Sequence, residues 1–227
     1  MSPLRKVAIG LWAMVFLLAG VRFGTSWFSG PAVDTTVDSG DDITANTQAI
    51  VSIDDSEAAV GIGSPLPELR LNDLNGQPRA VAEWSGRTLL INFWATWCAP
   101  CRKEMPLLEQ FQQSRDPATM QVIGIAIDSV DPVIRFLGET GVTYPNLIGE
   151  MDATRAAEQF APGFALPLSV VAAPDGTVLA VHIGEIHASD LEQIAAVSDA
   201  LADGTLSTAD AAKQLKLGAR TPARANN

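Results

Sequence analysis

The residues best suited to chemistry in this sequence are its only two cysteines, Cys98 and Cys101, which are separated by Ala99 and Pro100. Two thiols at this spacing can form and break a disulfide with each other, so the pair is a candidate redox-active disulfide. Where a helix begins at such a pair, the unpaired backbone N–H groups and the helix dipole stabilise a thiolate. We therefore predict that Cys98 has a lowered pKa and attacks a substrate disulfide, and that Cys101 resolves the mixed disulfide.

Two other uses of the cysteine pair compete with this one. A purely structural disulfide would stabilise the fold little, because the stabilisation grows with the length of the closed loop. A zinc site would need His182 and His187 as further ligands, but the gap to them far exceeds the about 12–15 residues typical of a compact zinc finger. We therefore expect no metal ion and no cofactor.

A strand–helix–strand pattern surrounds the cysteines. The nearly continuous apolar run Thr88–Ala95 is typical of a strand that is buried on both faces of a parallel sheet. Cys98–Gln113 has apolar residues at helical spacing, and Met120–Ile127 is predicted to be the next buried strand. Such a unit is a right-handed crossover by default. Because the cysteines directly follow the first strand in the sequence, they should lie where this strand meets its helix.

Shorter elements complete a mixed pattern. Asn75-Gly76 predicts a leading hairpin, and Pro174-Asp175-Gly176 predicts a second hairpin later in the chain. Three further helices are predicted, with Asp131 capping the first and Ser189 capping the last. The predicted fold class is therefore α/β, with a mixed central sheet flanked by helices. The predicted segments are 69–71 and 80–82 for the leading hairpin, 131–137, 152–160 and 189–201 for the helices, and 168–172 and 178–183 for the second hairpin.

The composition changes sharply along the chain. The uncharged run Val7–Val21 follows a basic N-terminus, which predicts a retained signal anchor whose N-terminus is cytoplasmic. The next stretch is rich in Asp and has no basic residue, as expected of an extended linker. Near the C-terminus, Ser207 is predicted to cap a short helix over Ala211–Leu217. The predicted regions are a membrane anchor at 1–29, an acidic flexible linker at 30–60, the folded domain at 61–204, and a short helix with a basic tail at 205–227.

The overall charge excludes one class of partner. Apolar residues make up 47% of the chain and charged residues 18%, which suits a globular domain with a buried core. The 15 basic and 26 acidic residues give a net charge of −11. We therefore expect no nucleic-acid partner, because attraction to phosphate requires a basic surface.

Four motifs together resemble a known family. They are the stretch NFWATWCAPC at 92–101, Glu104-Met105-Pro106, Val142-Thr143-Tyr144-Pro145, and Leu166-Pro167 ahead of the second hairpin. Over roughly residues 61–200 the chain resembles the membrane-anchored thiol-disulfide oxidoreductases of the TlpA/ResA type, which are related to the cytochrome c maturation protein CcmG. This resemblance implies a thioredoxin fold with a leading hairpin and a helical insert.

The resemblance also assigns roles to residues around the cysteines. Trp97, which directly precedes Cys98, is expected on its own account to shield the thiols. The resemblance implies that Pro167 is a cis-proline beside the cysteine pair and that Leu166 offers backbone groups to an extended substrate. It also implies that Glu104 takes the proton of Cys101. The sequence leaves plainer readings open: Trp97 as a rim residue, Glu104 as a solvated helix charge, and Pro167 as an ordinary strand-edge proline.

Two residues depart from the family pattern. Asn92 stands where thioredoxins carry a buried Asp, and an amide cannot accept a proton at neutral pH, so any general base must be Glu104 or water. Leu166 stands where many relatives have Thr, which leaves the preferred partner open.

The function implied by the resemblance is dithiol exchange outside the cytoplasm. We expect an inner-membrane protein with a single span in the lipid bilayer and its catalytic domain on the periplasmic side. The expected clients are oxidised proteins, either an apocytochrome c or a copper-site protein, and the expected electron donor is a membrane protein of the CcdA/DsbD type. A DsbA-like oxidant and a redox-silent binding module are the alternatives.

Overall fold

The computed structural model describes residues 59–218 of the chain, so the predicted anchor, most of the linker and the end of the basic tail lie outside the described residues. Within this range the chain forms seven strands, five α-helices and one short 3-10 helix. The strands are β1 (Arg70–Asp73), β2 (Pro78–Ala80), β3 (Thr88–Trp94), β4 (Met120–Ala126), β5 (Asn146–Ile148), β6 (Leu168–Ala172) and β7 (Val178–Ile183). The helices are α1 (Ala99–Gln113), α2 (Val130–Thr140), α3 (Met151–Glu158), α4 (Ala188–Ala202) and α5 (Thr208–Gln214), and the 3-10 helix is Val81–Trp84.

The strands form one mixed sheet in the order β2-β1-β5-β4-β3-β6-β7. β3, β4 and β5 are parallel, whereas β1 pairs antiparallel with β5, and β6 pairs antiparallel with β3. The predicted α/β class with a mixed central sheet is therefore confirmed. Because the parallel strands all end at the same edge of the sheet, the loops that follow β3, β4 and β5 lie near one another.

Alternate residues of β3 supply the two halves of the core. Leu90 and Trp94 pack in one cluster with Met105 of α1, and Ile91 and Phe93 pack in another that includes residues of α3. This alternation is what a strand with both faces covered requires, since successive side chains point to opposite faces. All seven residues of β3 are buried, so the strand is a fixed base for the loop that follows it.

Two predicted helix caps are wrong. α2 begins at Val130 with Ser129 as its N-cap, and Asp131 lies within its first turn. α4 begins at Ala188 with His187 as its N-cap, so Ser189 lies inside the helix. The reason in α4 is Asp190, whose Oδ2 accepts a hydrogen bond of 2.9 Å from the His187 N–H and so fixes the start of the helix.

The predicted cap of the last helix is confirmed. The Asp210 N–H donates to Oγ of Ser207 over 3.2 Å, which makes Ser207 the N-cap residue. The helix α5 begins directly after it at Thr208, three residues before the predicted start at Ala211. None of the helices within residues 59–218 combines the length and the apolar character needed to cross a bilayer.

Candidate active site around the Cys98–Cys101 pair

The cysteines lie where β3 passes into α1, as predicted. Cys98 is the N-cap residue of α1, and Pro100 lies in the first turn, where its missing N–H is not needed. A disulfide joins Cys98 to Cys101, with the Cα atoms 5.3 Å apart. The Cys101 N–H also donates to Sγ of Cys98 over 3.3 Å, so a backbone donor faces the sulfur that would carry the negative charge after reduction.

The two cysteine residues are both buried, but not to the same extent. The Cys98 residue is 5% exposed and Cys101 has no exposed surface. Of the two cysteines, only Cys98 therefore presents any surface to a substrate. This asymmetry agrees with the predicted order, in which Cys98 reacts with the substrate and Cys101 reacts afterwards with Cys98.

The structure does not support a zinc site at the cysteines. Both sulfurs are bonded to each other. Across residues 59–218, no group of three or more His, Cys, Asp or Glu side chains is placed to hold a metal ion. His187 is instead the N-cap residue of α4, where its imidazole Nδ1 lies 3.6 Å from Oδ2 of Asp190.

Glu104 is a buried carboxyl group one helical turn beyond Cys101, so its reading as a solvated helix charge is wrong. Oε1 accepts a hydrogen bond of 2.8 Å from Nδ2 of Asn92, and Oε2 accepts one of 2.7 Å from the N–H of Ile186. Burial raises the pKa of Glu104 to about 7, although both hydrogen bonds act to lower it, and nearby Glu185 raises it further. A carboxyl group with a pKa near neutrality can both accept and release a proton under physiological conditions.

The peptide bond between Leu166 and Pro167 is cis, as the resemblance implied. Pro167 immediately precedes β6, which is an internal strand of the sheet between β3 and β7, so it is not a strand-edge proline. Its carbonyl oxygen accepts a hydrogen bond of 2.8 Å from the N–H of Gly184, and Leu166 is half-buried. Because Phe93 pairs with Leu168, the cis bond lies at the same end of the sheet as the cysteines.

Trp97 lies at the rim of the site and is 69% exposed. The loop that carries it is held by Thr96, whose N–H and hydroxyl both donate to Oδ2 of Asp128. Since Asp128 follows β4, these bonds connect the loop after β3 to the loop after β4. Shielding of the thiols by Trp97 stays a prediction.

Comparison with known proteins identifies the domain. Residues 62–198, more than half of the chain, match the Redoxin family. The chain belongs to the Redoxin family. It is 27% identical over 138 residues to thiol-disulfide oxidoreductase ResA of Geobacillus kaustophilus, covering 60% of this chain and 78% of that protein. It is 28% identical over 143 residues to thioredoxin-like protein YneN of Bacillus subtilis, covering 61% of this chain and 82% of that protein.

A solved structure extends the comparison to the fold of this Redoxin-family chain. A thiol:disulfide interchange protein of the thioredoxin family from Chlorobium tepidum superposes with a TM-score of 0.54 at 27% identity. The match covers 62% of this chain and 99% of that one. The thioredoxin-like fold and the resemblance to ResA-type proteins are therefore confirmed. The chain is a thioredoxin-like thiol-disulfide oxidoreductase with a Cys-X-X-Cys pair.

Three contributors to the Redoxin-family site were not predicted from the sequence. Asn92 orients Glu104, and its Nδ2 also donates to Oγ of Ser169 over 3.1 Å. Ile186 supplies a backbone N–H that cannot be foreseen from its side chain. The available signal was Asn92 itself, because an amide in the middle of an apolar strand needs buried hydrogen-bond partners.

Proposed function

We propose that this Redoxin-family protein reduces disulfides in specific client proteins through its cysteine pair. The observation that carries the proposal is the asymmetry of the site. Cys98 lies at the helix N-terminus and keeps a small exposed surface, whereas Cys101 and Glu104 have almost none on the turn behind it. A structural disulfide would need neither a reachable sulfur nor a buried carboxyl group with a pKa of about 7.

The reaction proceeds in two exchanges. The thiolate of Cys98 attacks one sulfur of the client disulfide, and the other client sulfur leaves as a thiolate and takes a proton from water. Cys101 then gives its proton to the ionised Glu104 and attacks Sγ of Cys98. The second client sulfur leaves as a thiolate and takes a proton from water, and Glu104 releases its proton to water. The client thus gains two electrons and becomes a dithiol, while Cys98 and Cys101 become a disulfide.

Client binding is proposed at the residues around the sulfur. An extended segment of the client hydrogen-bonds to backbone groups of Leu166 beside Pro167, in the manner of strand addition. Trp97 covers the side of the mixed disulfide that faces solvent. The cis bond at Pro167 and the exposed position of Trp97 support this arrangement.

The cellular setting is proposed from the sequence and the resemblance. Residues 1–29 anchor the protein in the inner membrane, and residues 30–60 let the domain reach clients on the periplasmic side. The clients are an apocytochrome c or a copper-site protein. A membrane protein of the CcdA/DsbD type returns electrons to the pair, since the chain has no third cysteine that could do so.

The direct test is a trapping experiment in intact cells. A Cys101→Ala variant should accumulate disulfide-linked adducts with its clients through Cys98, because no resolving thiol is present to release them. The matched Cys98→Ala variant should accumulate none. Adducts found only in Cys98→Ala would reverse the two roles, and adducts in neither variant would contradict the proposal.

The direction of transfer needs a separate measurement. A reduction potential near that of thioredoxin, about −270 mV, would support a reductant, whereas a potential near that of DsbA, about −120 mV, would identify an oxidant instead. The potential can be measured by equilibrating the full chain with glutathione or dithiothreitol buffers and counting free thiols.

A further inference from the structure

Helix α2 has an apolar stripe on its outer face in addition to the one that packs into the core. Val133 and Leu137 are buried, as expected of the inner face of an amphipathic helix. Val130 is 42% exposed and Ile134 is 48% exposed, and they lie one turn apart on the outer face. Solvent-facing positions of such a helix are normally polar, so these two side chains suggest a contact with another molecule.

The outer stripe begins two residues after Asp128, in the loop that is bonded to the cysteine loop. The bonds from Thr96 to Asp128 hold the loop that carries Trp97 against the loop that leads into α2. In addition, the Ile127 N–H donates to the carbonyl oxygen of Trp94 over 2.8 Å, which joins the ends of β3 and β4. Trp97 and the start of α2 at Val130 therefore lie at the same edge of the sheet, with Ile134 one turn further along the helix, and all three side chains are exposed.

The burial of Cys98 indicates which part of a client lies along this edge of the sheet. Because the Cys98 residue is only 5% exposed, a client has to bring its disulfide down to the sulfur with the neighbouring chain lying across the rim. On the α2 side, the exposed large apolar side chains nearest in sequence to this rim are Trp97 itself and Val130 and Ile134 in the first turns of α2. The residues beside the stripe include Asp131 and Arg135, whose charges have opposite signs and cancel. Recognition of a client at this surface therefore depends on apolar contact more than on net charge.

We propose that Trp97, Val130 and Ile134 form a client-docking surface that binds an apolar segment adjoining the disulfide of an oxidised client protein. This inference rests on the proposed function and adds a specificity to it. Clients with apolar residues beside the cysteine react faster than clients with polar residues there, because only the former bury the exposed surface of α2.

The test compares three disulfides in single-turnover reactions with the reduced full chain. They are hydroxyethyl disulfide and two synthetic peptides with an internal disulfide, one flanked by Leu and Val and the other flanked by Ser and Gly. The double variant Val130→Ser/Ile134→Ser should react about tenfold more slowly with the apolar peptide, equivalent to about 1.4 kcal/mol. Its rates with the polar peptide and with hydroxyethyl disulfide should equal those of the unmodified protein.

A matched control is Ile62→Ser. Ile62 is 57% exposed, and the N–H of its neighbour Gly63 donates to the carbonyl oxygen of Val178 at the start of β7, the end of the sheet opposite the cysteines. This variant should keep all three rates. If the double variant folds poorly by near-UV circular dichroism, the single variant Ile134→Asn should show a smaller loss confined to the apolar peptide.

The outcomes separate the inference from the proposed function. Equal rates for the two peptides, or a loss in the double variant that is the same for all three disulfides, would overturn the docking surface while leaving dithiol exchange intact. A dimer of the unmodified chain in sedimentation that the double variant abolishes, with unchanged peptide rates, would assign the stripe to a second copy. No reaction with any disulfide would remove the proposed function, and this inference with it.

Discussion

Replacing Glu104 by Gln should change how the stability of the fold depends on pH. The carboxyl group is buried between Asn92 and Ile186, and burial raises its pKa from 4.5 to about 7. The folded protein therefore binds this proton more tightly than the unfolded chain does. The stabilisation from the protonated group is fully present below about pH 4.5 and is lost as pH rises through 7.

The expected size follows from the two pKa values. At about 1.36 kcal/mol for each pKa unit, the rise from 4.5 to about 7 corresponds to roughly 3 kcal/mol. The free energy of unfolding of the unmodified chain should fall by this amount between pH 4.5 and pH 8 because of Glu104 alone. The side chain of the Glu104→Gln variant cannot ionise. The difference in free energy of unfolding between the two proteins should therefore change by about 3 kcal/mol in favour of the variant between pH 4.5 and pH 8.

The measurement is urea unfolding of both full chains at several pH values, with the disulfide intact. A constant offset is expected as well, because the amide nitrogen of Gln cannot accept the hydrogen bonds that both carboxyl oxygens now accept. The pH-dependent part of the difference is therefore the test. Parallel pH profiles for the two proteins would refute the raised pKa of Glu104.

Glu109 provides a control on the same helix. Burial acts to raise its pKa, but hydrogen bonds from Thr143, Gln113 and Tyr144 outweigh this and lower the pKa below the ordinary value. Its contribution to stability should be present above about pH 4.5 and lost as pH falls. Glu109→Gln should therefore alter the profile on the acid side and in the opposite sense.

Three other substitutions test the packing and capping around the site. Gly124→Ala would place a methyl carbon 2.0 Å from Oδ1 of Asn146, so urea unfolding should show a loss of about 3 kcal/mol, and a normal midpoint would contradict the close approach. Trp97→Ala should change the free energy of unfolding by less than about 0.5 kcal/mol, since the side chain is exposed, yet slow insulin reduction several-fold; an unchanged rate would leave Trp97 as a rim residue. Asp190→Ala removes the acceptor of the Gly218 N–H and of the N–H of His187, the N-cap residue of α4, so thermal unfolding should show a loss of about 1–2 kcal/mol, and an unaltered melting temperature would argue against this cap.

The parts of the fold that could be predicted are those fixed by local sequence. The bounds of β6 and β7 were predicted correctly because an apolar run lies on each side of the Pro174-Asp175-Gly176 turn. β5 was not predicted, since its three residues are too few to show a period and gain their partners only from β1 and β4. The N-cap of α4 was misplaced by two residues, at Ser189 instead of His187, because the Asp190 carboxylate accepts a hydrogen bond from the N–H of His187 and so fixes the start of the helix there.

The same distinction applies to the site. The cysteine pair and its place at a helix N-terminus could be predicted, because the helix immediately follows a recognisable buried strand. The burial of Glu104 could not be derived from spacing, because its two hydrogen bonds come from Asn92 on β3 and from Ile186, 82 residues farther along the chain. The cis bond before Pro167 was predicted only through the family resemblance.

The central claim is that Cys98, rather than Cys101, is the acidic and attacking thiol. It is tested most directly by alkylating the reduced full chain with iodoacetamide across a range of pH and following each cysteine by mass spectrometry. We predict that Cys98 reacts with a pKa well below the value of about 8.5 for a free cysteine, and that Cys101 resists modification at the same pH. Modification of both cysteines with the profile of free cysteine, or modification of Cys101 first, would contradict the account.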